Sequence, residues 1–418
     1  MKDLKVVPNG SVTSPQGFKA FGMYAGIKKN ARKYDVSLIC SDVPAVSAGT
    51  FTTSKVKAWP LQYNLKIMKN KTHRAIFGNS GNANCFNGIG GKKAVGVVAG
   101  LLARRLKIKR NQIFMNSTGI IGRSYPTEVV ENALPQLVSG LSYEGGHEAA
   151  RGILTTDTHP KEIAVRFSLH GKPVTVAAMA KGAGMMYPDM NVRGESPNSI
   201  KGKHATMLCF VTTDANISKR LLERALENVI RKTFNKIAID NDQSTNDTVL
   251  ILANGLAGNQ KIVKQDQGFL AFESALLCVC EYIAKHLLKD GEGVTHVCEI
   301  IVKGAKTGEE GNQLCRQIAT SMLVKTMLAG EDPNWGRLMG CVGSSQVAYS
   351  PELDIAFDGV PIIKNGCEVA KNKLHLRQCL KKKEYVLEID LKKGRYEERF
   401  WTTDLTKFYV WINSQYST

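Results

Sequence analysis

The chain has 418 residues, of which 43% are hydrophobic and 22% charged. That is ordinary globular usage; it excludes disordered, collagen-like and mucin-like classes, and at roughly 150 residues per domain it allows two or three domains or one large layered unit. Fifty-six Lys and Arg against 37 Asp and Glu give a net charge of +19, which invites a nucleic-acid reading.

In chain order, residues 36–40 and 75–78 read as strands bounded by polar residues and glycine. Residues 79–84, Asn-Ser-Gly-Asn-Ala-Asn, read as a tight polar loop after a strand. A helix is expected over 92–106, then a strand over 113–116 that runs into Ser117-Thr118-Gly119. The polar, Pro- and Gly-containing stretch 187–204 reads as an exposed loop. Residues 205–212 form an apolar run with strand character. Leu221, Leu222, Ala225, Leu226, Val229 and Ile230 then recur at helical spacing, with Ser218 as the expected N-cap. A strand is expected over 248–253. Phe269, Phe272, Leu276, Val279, Ile283 and Leu287 mark a helix that stops near Asp290-Gly291. A strand over 297–302 and a helix over 313–327 follow. Short strands at 353–357, 385–391, 400–403 and 408–412 close the chain. Mixed helices and strands in both halves predict an α/β architecture with helices packed on sheets.

The basic clusters are Arg104, Arg105, Lys107, Lys109 and Arg110, then Lys381, Lys382 and Lys383. No zinc-finger, RNP-type or helix-turn-helix pattern accompanies them, and no aromatics are interleaved to stack bases. A solvated basic surface that attracts anionic small molecules is the simpler reading. No stretch presents the ~18 apolar residues needed to cross a bilayer. The N-terminus lacks an apolar signal core, and the ten cysteines show neither a CxxC pair nor ligand spacing with the eight histidines. A cytoplasmic protein with reduced, mostly buried thiols and no metal site is expected.

The common catalytic spellings, GxSxG, HExxH and the Walker A loop, are all missing. The informative segment is Lys181-Gly-Ala-Gly-Met185, the polar loop, then Ala205-Thr206-Met207-Leu208. A threonine between a loop and an apolar run is ordinarily just a strand start. If the peptide bond before it is broken, however, Thr206 gains a free α-amine beside its own hydroxyl. An α-amine with a pKa near ~8 is partly neutral at working pH and can take the hydroxyl proton. The same hydroxyl can first attack the carbonyl of Ala205, giving an ester that water cleaves.

These residues resemble the cleavage region of the ornithine acetyltransferase family, whose members are bifunctional glutamate N-acetyltransferase/amino-acid acetyltransferases. The resemblance extends over Gly26-Ile-Lys28, residues 41–44, 49–53 and 79–84, Ser117-Thr118-Gly119 and Thr155-Thr-Asp157-Thr158. It continues through residues 244–248, Asp290-Gly-Glu292-Gly293, residues 332–337, Trp401-Thr-Thr-Asp404-Leu405 and the ending 412–418, and so covers essentially the whole chain in order.

The resemblance implies a self-cleaved α/β sandwich of helices and mixed sheets, with an α chain 1–205 and a β chain 206–418 sharing one core. It implies Thr206 as nucleophile and Thr118 with Gly119 as oxyanion donors. Thr155, Lys181, Thr206, Glu292, Asn413 and Thr418 match its substrate-binding positions. N-acetylornithine and glutamate would be the substrates in the cyclic arginine pathway. An α2β2 assembly is implied, with no metal or cofactor; acetyl-CoA as a second donor is left open. Asp332 with Arg337, and Asn246-Asp247, read as structural or as supports for the groups that touch substrate, the first two as a buried pair that positions a loop. An insertion at 191–204, with His204 in place of the usual methionine, departs from the family pattern. An N-terminal-nucleophile amidohydrolase or aminopeptidase, passing the acyl group to water, is the alternative.

Overall fold

A computed structural model describes residues 4–195 and 207–415. The chain divides into two compact units, Met1–Asn235 with Asp242–Leu287, and Lys236–Asn241 with Leu288–Ser417.

The first unit is built on one mixed sheet. Its strand order is Lys5–Val6, Lys161–Leu169, Lys172–Lys181, Leu208–Thr213, Thr248–Ala253, Val36–Thr52, His73–Asn79 and Ile113–Ser117, with Phe18–Met23 and Met190–Asn191 also paired to Val36–Thr52. All six residues of Thr248–Ala253 are buried, and so are all six of Leu208–Thr213. Such runs are what a strand covered on both faces requires. Alternation shows where the cover lies. Ala75 and Phe77 pack with Val95, Val98, Leu102, Val130 and Leu134, whereas Ile76 packs in a second cluster with Leu61, Ala149, Ala150 and Phe210. The first cluster draws on the helices Gly88–Leu106 and Thr127–Ser139, and the second on Trp59–Ile67 and Gly146–Gly152. The sheet is therefore sandwiched between helices there.

The second unit has its own mixed sheet, ordered Ile237–Ala238, Tyr396–Thr403, Val297–Ala305, Glu384–Asp390, Asp354–Phe357, Val360–Lys364 and Cys367–Glu368. The helix Gly308–Thr320 packs on Val297–Ala305 and Tyr396–Thr403. The α/β class with two mixed sheets agrees with the expectation.

Several local expectations are corrected. The helix expected over 313–327 is two, Gly308–Thr320 and Met322–Ala329. Ser321 between them is extended, and its Oγ accepts from Val324 N at 3.3 Å, capping the second. The strand expected at 408–412 is instead the helix Lys407–Gln415. Aromatic and β-branched residues suggested a strand, but Thr406 Oγ1 accepts from Tyr409 N at 3.2 Å, an N-cap bond that starts a helix. Ser218 sits at the expected cap position, yet its side chain makes no cap bond. Asp332 and Arg337 form no buried pair: Asp332 is exposed, and Arg337 donates to Leu323 O at 2.7 Å and Thr326 Oγ1 at 3.0 Å. The stretch read as an exposed loop from 187 contains the short strand Met190–Asn191, with Met190 buried; its remainder, 196–204, lies outside the described residues.

Among the described residues one helix, Gln267–Lys289, is long and apolar enough to cross a membrane, with a mean hydropathy of 1.3 over 18 residues, contrary to the sequence reading. Phe269, Phe272, Leu276, Val279, Ile283 and Leu287 on it are all buried in the first unit. All ten cysteines are free, seven of them buried.

His73 illustrates how the first core handles a polar group. Its Nε2 lies 3.1 Å from the Ile67 carbonyl, which can only accept, so Nε2 carries the proton and Nδ1 accepts from Ser47 Oγ at 2.7 Å. The ring stacks on Phe114 at 4.1 Å. Burial pushes its pKa down to about 4. The unfolded chain, with a pKa near ~6.5, binds the proton first, so the stability His73 supports is complete above that value and is lost as pH falls toward 4. Relative to His73→Gln, the wild type should lose about 3 kcal/mol between pH 7 and 4, read from urea midpoints. Parallel pH profiles for the two proteins would refute this.

Candidate active site

Strand register brings three chain segments to one line in the first unit. Lys181, ending Lys172–Lys181, lies opposite Leu208, which begins its strand. Thr248 also lies opposite Leu208, in parallel pairing, and opposite Phe51. A fourth segment arrives beside them. Ile113–Ser117 pairs in parallel with His73–Asn79, and Thr118 N donates to Asn79 O at 2.9 Å. Asn246 ties this turn to the sheet: its Nδ2 donates to Ser117 O at 2.7 Å and Ala83 O at 2.8 Å.

Thr118 and Lys181 meet there. Lys181 Nζ donates to Thr118 Oγ1 at 3.2 Å, with both residues buried. An ammonium has no lone pair, so the hydroxyl oxygen must be the acceptor and its own proton stays available to donate elsewhere. Gly119 follows with φ +128, and a Cβ there would lie 2.5 Å from the Gly81 backbone. Only glycine fits this turn without displacing main chain.

Lys181 acts on Asp157 together with Lys161. Lys161 Nζ contacts Asp157 Oδ1 at 2.6 Å, both side chains fully shielded from solvent. The same oxygen accepts from Gly182 N at 2.8 Å, and Oδ2 accepts from Thr155 N at 3.0 Å. One carboxylate thus joins the segment carrying Thr155 to the segment carrying Lys181. Burial alone would raise its pKa, but the charges of Lys181 and Lys161, with the hydrogen bonds from Lys161 and Thr155, hold it well below the usual carboxylate range. On the other side of Thr155, Lys28 Nζ donates to Leu154 O at 2.7 Å and Tyr34 O at 2.6 Å. Burial lowers the pKa of Lys28 to about 8.

In the second unit Asn413 Nδ2 donates to Glu292 Oε2 at 2.9 Å. The Glu292 turn is fixed from below: Thr406 Oγ1 donates to Gly293 O at 2.7 Å. Gly293 has φ +68, and a Cβ would lie 2.4 Å from Tyr409 N. Of the remaining site residues, Ala205, Thr206 and Thr418 lie outside the described residues. Met207, bonded to Thr206, is described, and its amide donates to Asp247 Oδ1 at 2.6 Å.

Asp157, Lys161, Lys28 and Asp247 had no assigned chemistry in the sequence, although Lys28, Asp157 and Asp247 fall in motifs that carried the resemblance. Their spacing holds the signal only for Asp157 and Lys161, four residues apart; the others act across long sequence separations. Among the described residues no group of three or more His, Cys, Asp or Glu is placed to hold a metal ion.

An α/β protein in which a buried lysine backs a threonine–glycine turn, on a scaffold organised by a buried carboxylate, has the features of an acyl-transfer enzyme. The ArgJ family model matches residues 19–418, and the chain belongs to that family. The glutamate N-acetyltransferase of Methanocaldococcus jannaschii is 42% identical over 99% of this chain and 100% of its own. The arginine biosynthesis bifunctional protein ArgJ of Symbiobacterium thermophilum is 40% identical over 98% of this chain and 99% of its own. Among solved structures, the ornithine acetyltransferase of Mycobacterium tuberculosis, complexed with ornithine, is 33% identical over 45% of this chain and 99% of that one, with a TM-score of 0.43.

Removing the Asp157 charge takes away the carboxylate in direct contact with the buried Lys161 ammonium. Asp157→Asn should cost about 3–5 kcal/mol in urea unfolding, and adding Lys161→Met should recover part of the loss. A single variant as stable as the wild type would show that the pair does not hold these segments together.

Proposed function

We propose that this chain is a glutamate N-acetyltransferase that carries acetyl from N-acetylornithine to glutamate as an ester on Thr206. The observation that supports it most is the buried Lys181–Thr118 hydrogen bond beside Gly119 in a chain of this family. It leaves one hydroxyl proton to donate, with a positive charge behind it, where an acyl-transfer oxyanion needs stabilisation.

Scission between Ala205 and Thr206 divides the chain into 1–205 and 206–418 and frees the Thr206 amine. The amine takes the proton of its own hydroxyl, and Oγ attacks the acetyl carbonyl. Thr118 and the Gly119 amide hold the oxyanion. Collapse breaks the carbon–nitrogen bond, and ornithine leaves with the proton. The amine of glutamate then attacks the ester, N-acetylglutamate departs, and the hydroxyl of Thr206 is restored. An amide is exchanged for an amide, so the cycle is near thermoneutral and calls for no ATP; acetyl-CoA enters only as an additional donor. Lys181 and Thr155 serve the substrate carboxylate through charge-assisted and directional hydrogen bonds. Glu292 serves the ammonium, with Asn413 and Thr418 completing the contacts, and two α and two β chains form the assembly.

A denaturing gel of the purified protein should show two polypeptides, one beginning at Thr206. Thr206→Ala should give one uncut, inactive chain. Thr118→Val should lower kcat by about 10²–10³ with little change in KM. Acetylglutamate should appear in step with ornithine; free acetate in its place would assign the chain to the amidohydrolases. A cut, active Thr206→Ala variant would end the proposal.

A further inference from the structure

Lys28 stands between two parts of the first unit that acetyl transfer would need. Its own turn is fixed by one buried carboxylate. Asp35 Oδ2 accepts from Lys28 N at 3.0 Å and from Gly26 N at 3.2 Å, and Oδ1 accepts from Ala25 N at 2.6 Å. Asp35 O accepts from Ser80 N at 2.9 Å, which fastens the turn to the loop after His73–Asn79. Gly81 in that loop lies against Lys28: a Cβ there would come within 3.1 Å of Lys28 Cγ. The same glycine backs the next turn, since a Cβ on Gly119 would lie 2.5 Å from the Gly81 carbonyl carbon. The Lys28 stem therefore runs past the backbone that supports Thr118 and Gly119.

Its ammonium ends at Thr155. Lys28 Nζ donates at 2.7 Å to Leu154 O, the carbonyl joined to the Thr155 nitrogen, and at 2.6 Å to Tyr34 O. That nitrogen in turn donates to Asp157 Oδ2 at 3.0 Å, so one peptide group is gripped from both sides. An ammonium has three N–H groups. Two are used here, and the third has no acceptor among the described residues. Lys28 is half-buried rather than sealed in. Burial lowers its pKa; Asp35 and Asp157 raise it, Lys181 and Lys33 lower it further, and it stands at about 8. The two carboxylates do not make up for burial and two like charges, and a further negative charge would stabilise the ammonium.

We propose that Lys28 is a second cation for the α-carboxylate of the substrates, donating its third N–H to that group beside Lys181 and Thr155. The role rests on the transfer reaction proposed for this chain. A carboxylate offers two oxygens with about four lone-pair sites, more than one ammonium and one hydroxyl fill. Bonds to it from a cation are about twice as strong as neutral ones. A carboxamide of the same shape carries no charge and offers one acceptor oxygen, so two lysines at this position select the acid over the amide.

The test compares N-acetylornithine with its α-carboxamide as acetyl donor to glutamate, reading kcat/KM for each. The wild type should prefer the carboxylate. Lys28→Met should lower kcat/KM for N-acetylornithine about 10- to 100-fold more than for the carboxamide, while Lys28→Arg, which keeps the charge, should keep the preference. Equal losses on both donors would show that Lys28 only holds the Leu154 peptide and would overturn the proposal. An undiminished preference in Lys28→Met would overturn it too. Should Lys28→Met fail to fold, pH decides between the wild type and Lys28→Arg. The wild-type preference should fall as pH rises through about 8, where the ammonium loses its proton, and that of Lys28→Arg should stay level. Asp35, Asp157, Lys181 and Lys33, the charged groups acting on this position, are the same in both proteins. A wild-type preference that does not change across that range overturns the proposal. A wild type that makes no acetylglutamate from N-acetylornithine ends the transfer reading itself, whereas an active wild type with equal losses in Lys28→Met ends only the role of Lys28.

Discussion

A carboxylate cannot be shut away from water unless opposite charge goes with it. Asp157 is shielded completely, and so is the Lys161 ammonium beside it. That pair fixes where Asp157 sits, and Asp157 fixes its neighbours through the amides of Thr155 and Gly182. Thr155 and Lys181 lie 26 positions apart in the chain but share this anchor. The Lys181 ammonium, so placed, reaches Thr118. A buried pair contributes little net stability against an apolar replacement, and much to geometry. Here its value lies in holding two segments and one hydroxyl in a fixed relation.

Topology places the proposed cut where it does little mechanical harm. In the first sheet, strands from before residue 205 flank a neighbouring pair from after residue 206. Leu208–Thr213 lies between Lys172–Lys181 and Thr248–Ala253, and the latter lies against Val36–Thr52. Breaking one peptide bond removes none of the ladder hydrogen bonds that join these strands. The two polypeptides would stay paired across two separate strand interfaces, and Ser117 of one would keep its bond to Asn246 of the other.

Much of this was legible in the residues, and the gaps have physical causes. Thr248–Ala253 has the expected bounds because six buried residues in succession admit little else. The strand expected over 36–40 in fact runs from Val36 to Thr52. Asp42 and Pro44 hid its continuation, and they sit where its register with His73–Asn79 shifts, between Cys40 and Ala45. At the C-terminus a single capping hydroxyl, Thr406, outweighed five residues of strand-like composition. Thr118 and Gly119 were recognisable only by resemblance. Their partner Lys181 is 63 residues away, a distance no local pattern reports. Asp247 was read as structural or supporting; its complete burial is set by long-range packing that no local pattern reports.

Asp157 and Asp247 show how one lysine can produce two opposite carboxylates. Both are buried, so desolvation drives both pKa values upward. Lys181 acts on each. Asp157 has a second lysine, Lys161, in direct contact, and the sum of two charges reverses the desolvation. For Asp247 the charge of Lys181 and the hydrogen bonds from Met207 and Ser244 lower the pKa without overcoming burial. The first therefore keeps a permanent negative charge suited to anchoring amides. The second stands near neutrality, where a proton can come and go. Environments that push paired titratable groups apart divide a site into fixed and exchangeable charge. The fixed charge holds the segments of Thr155 and Lys181, and the exchangeable one accepts from the amide of Met207.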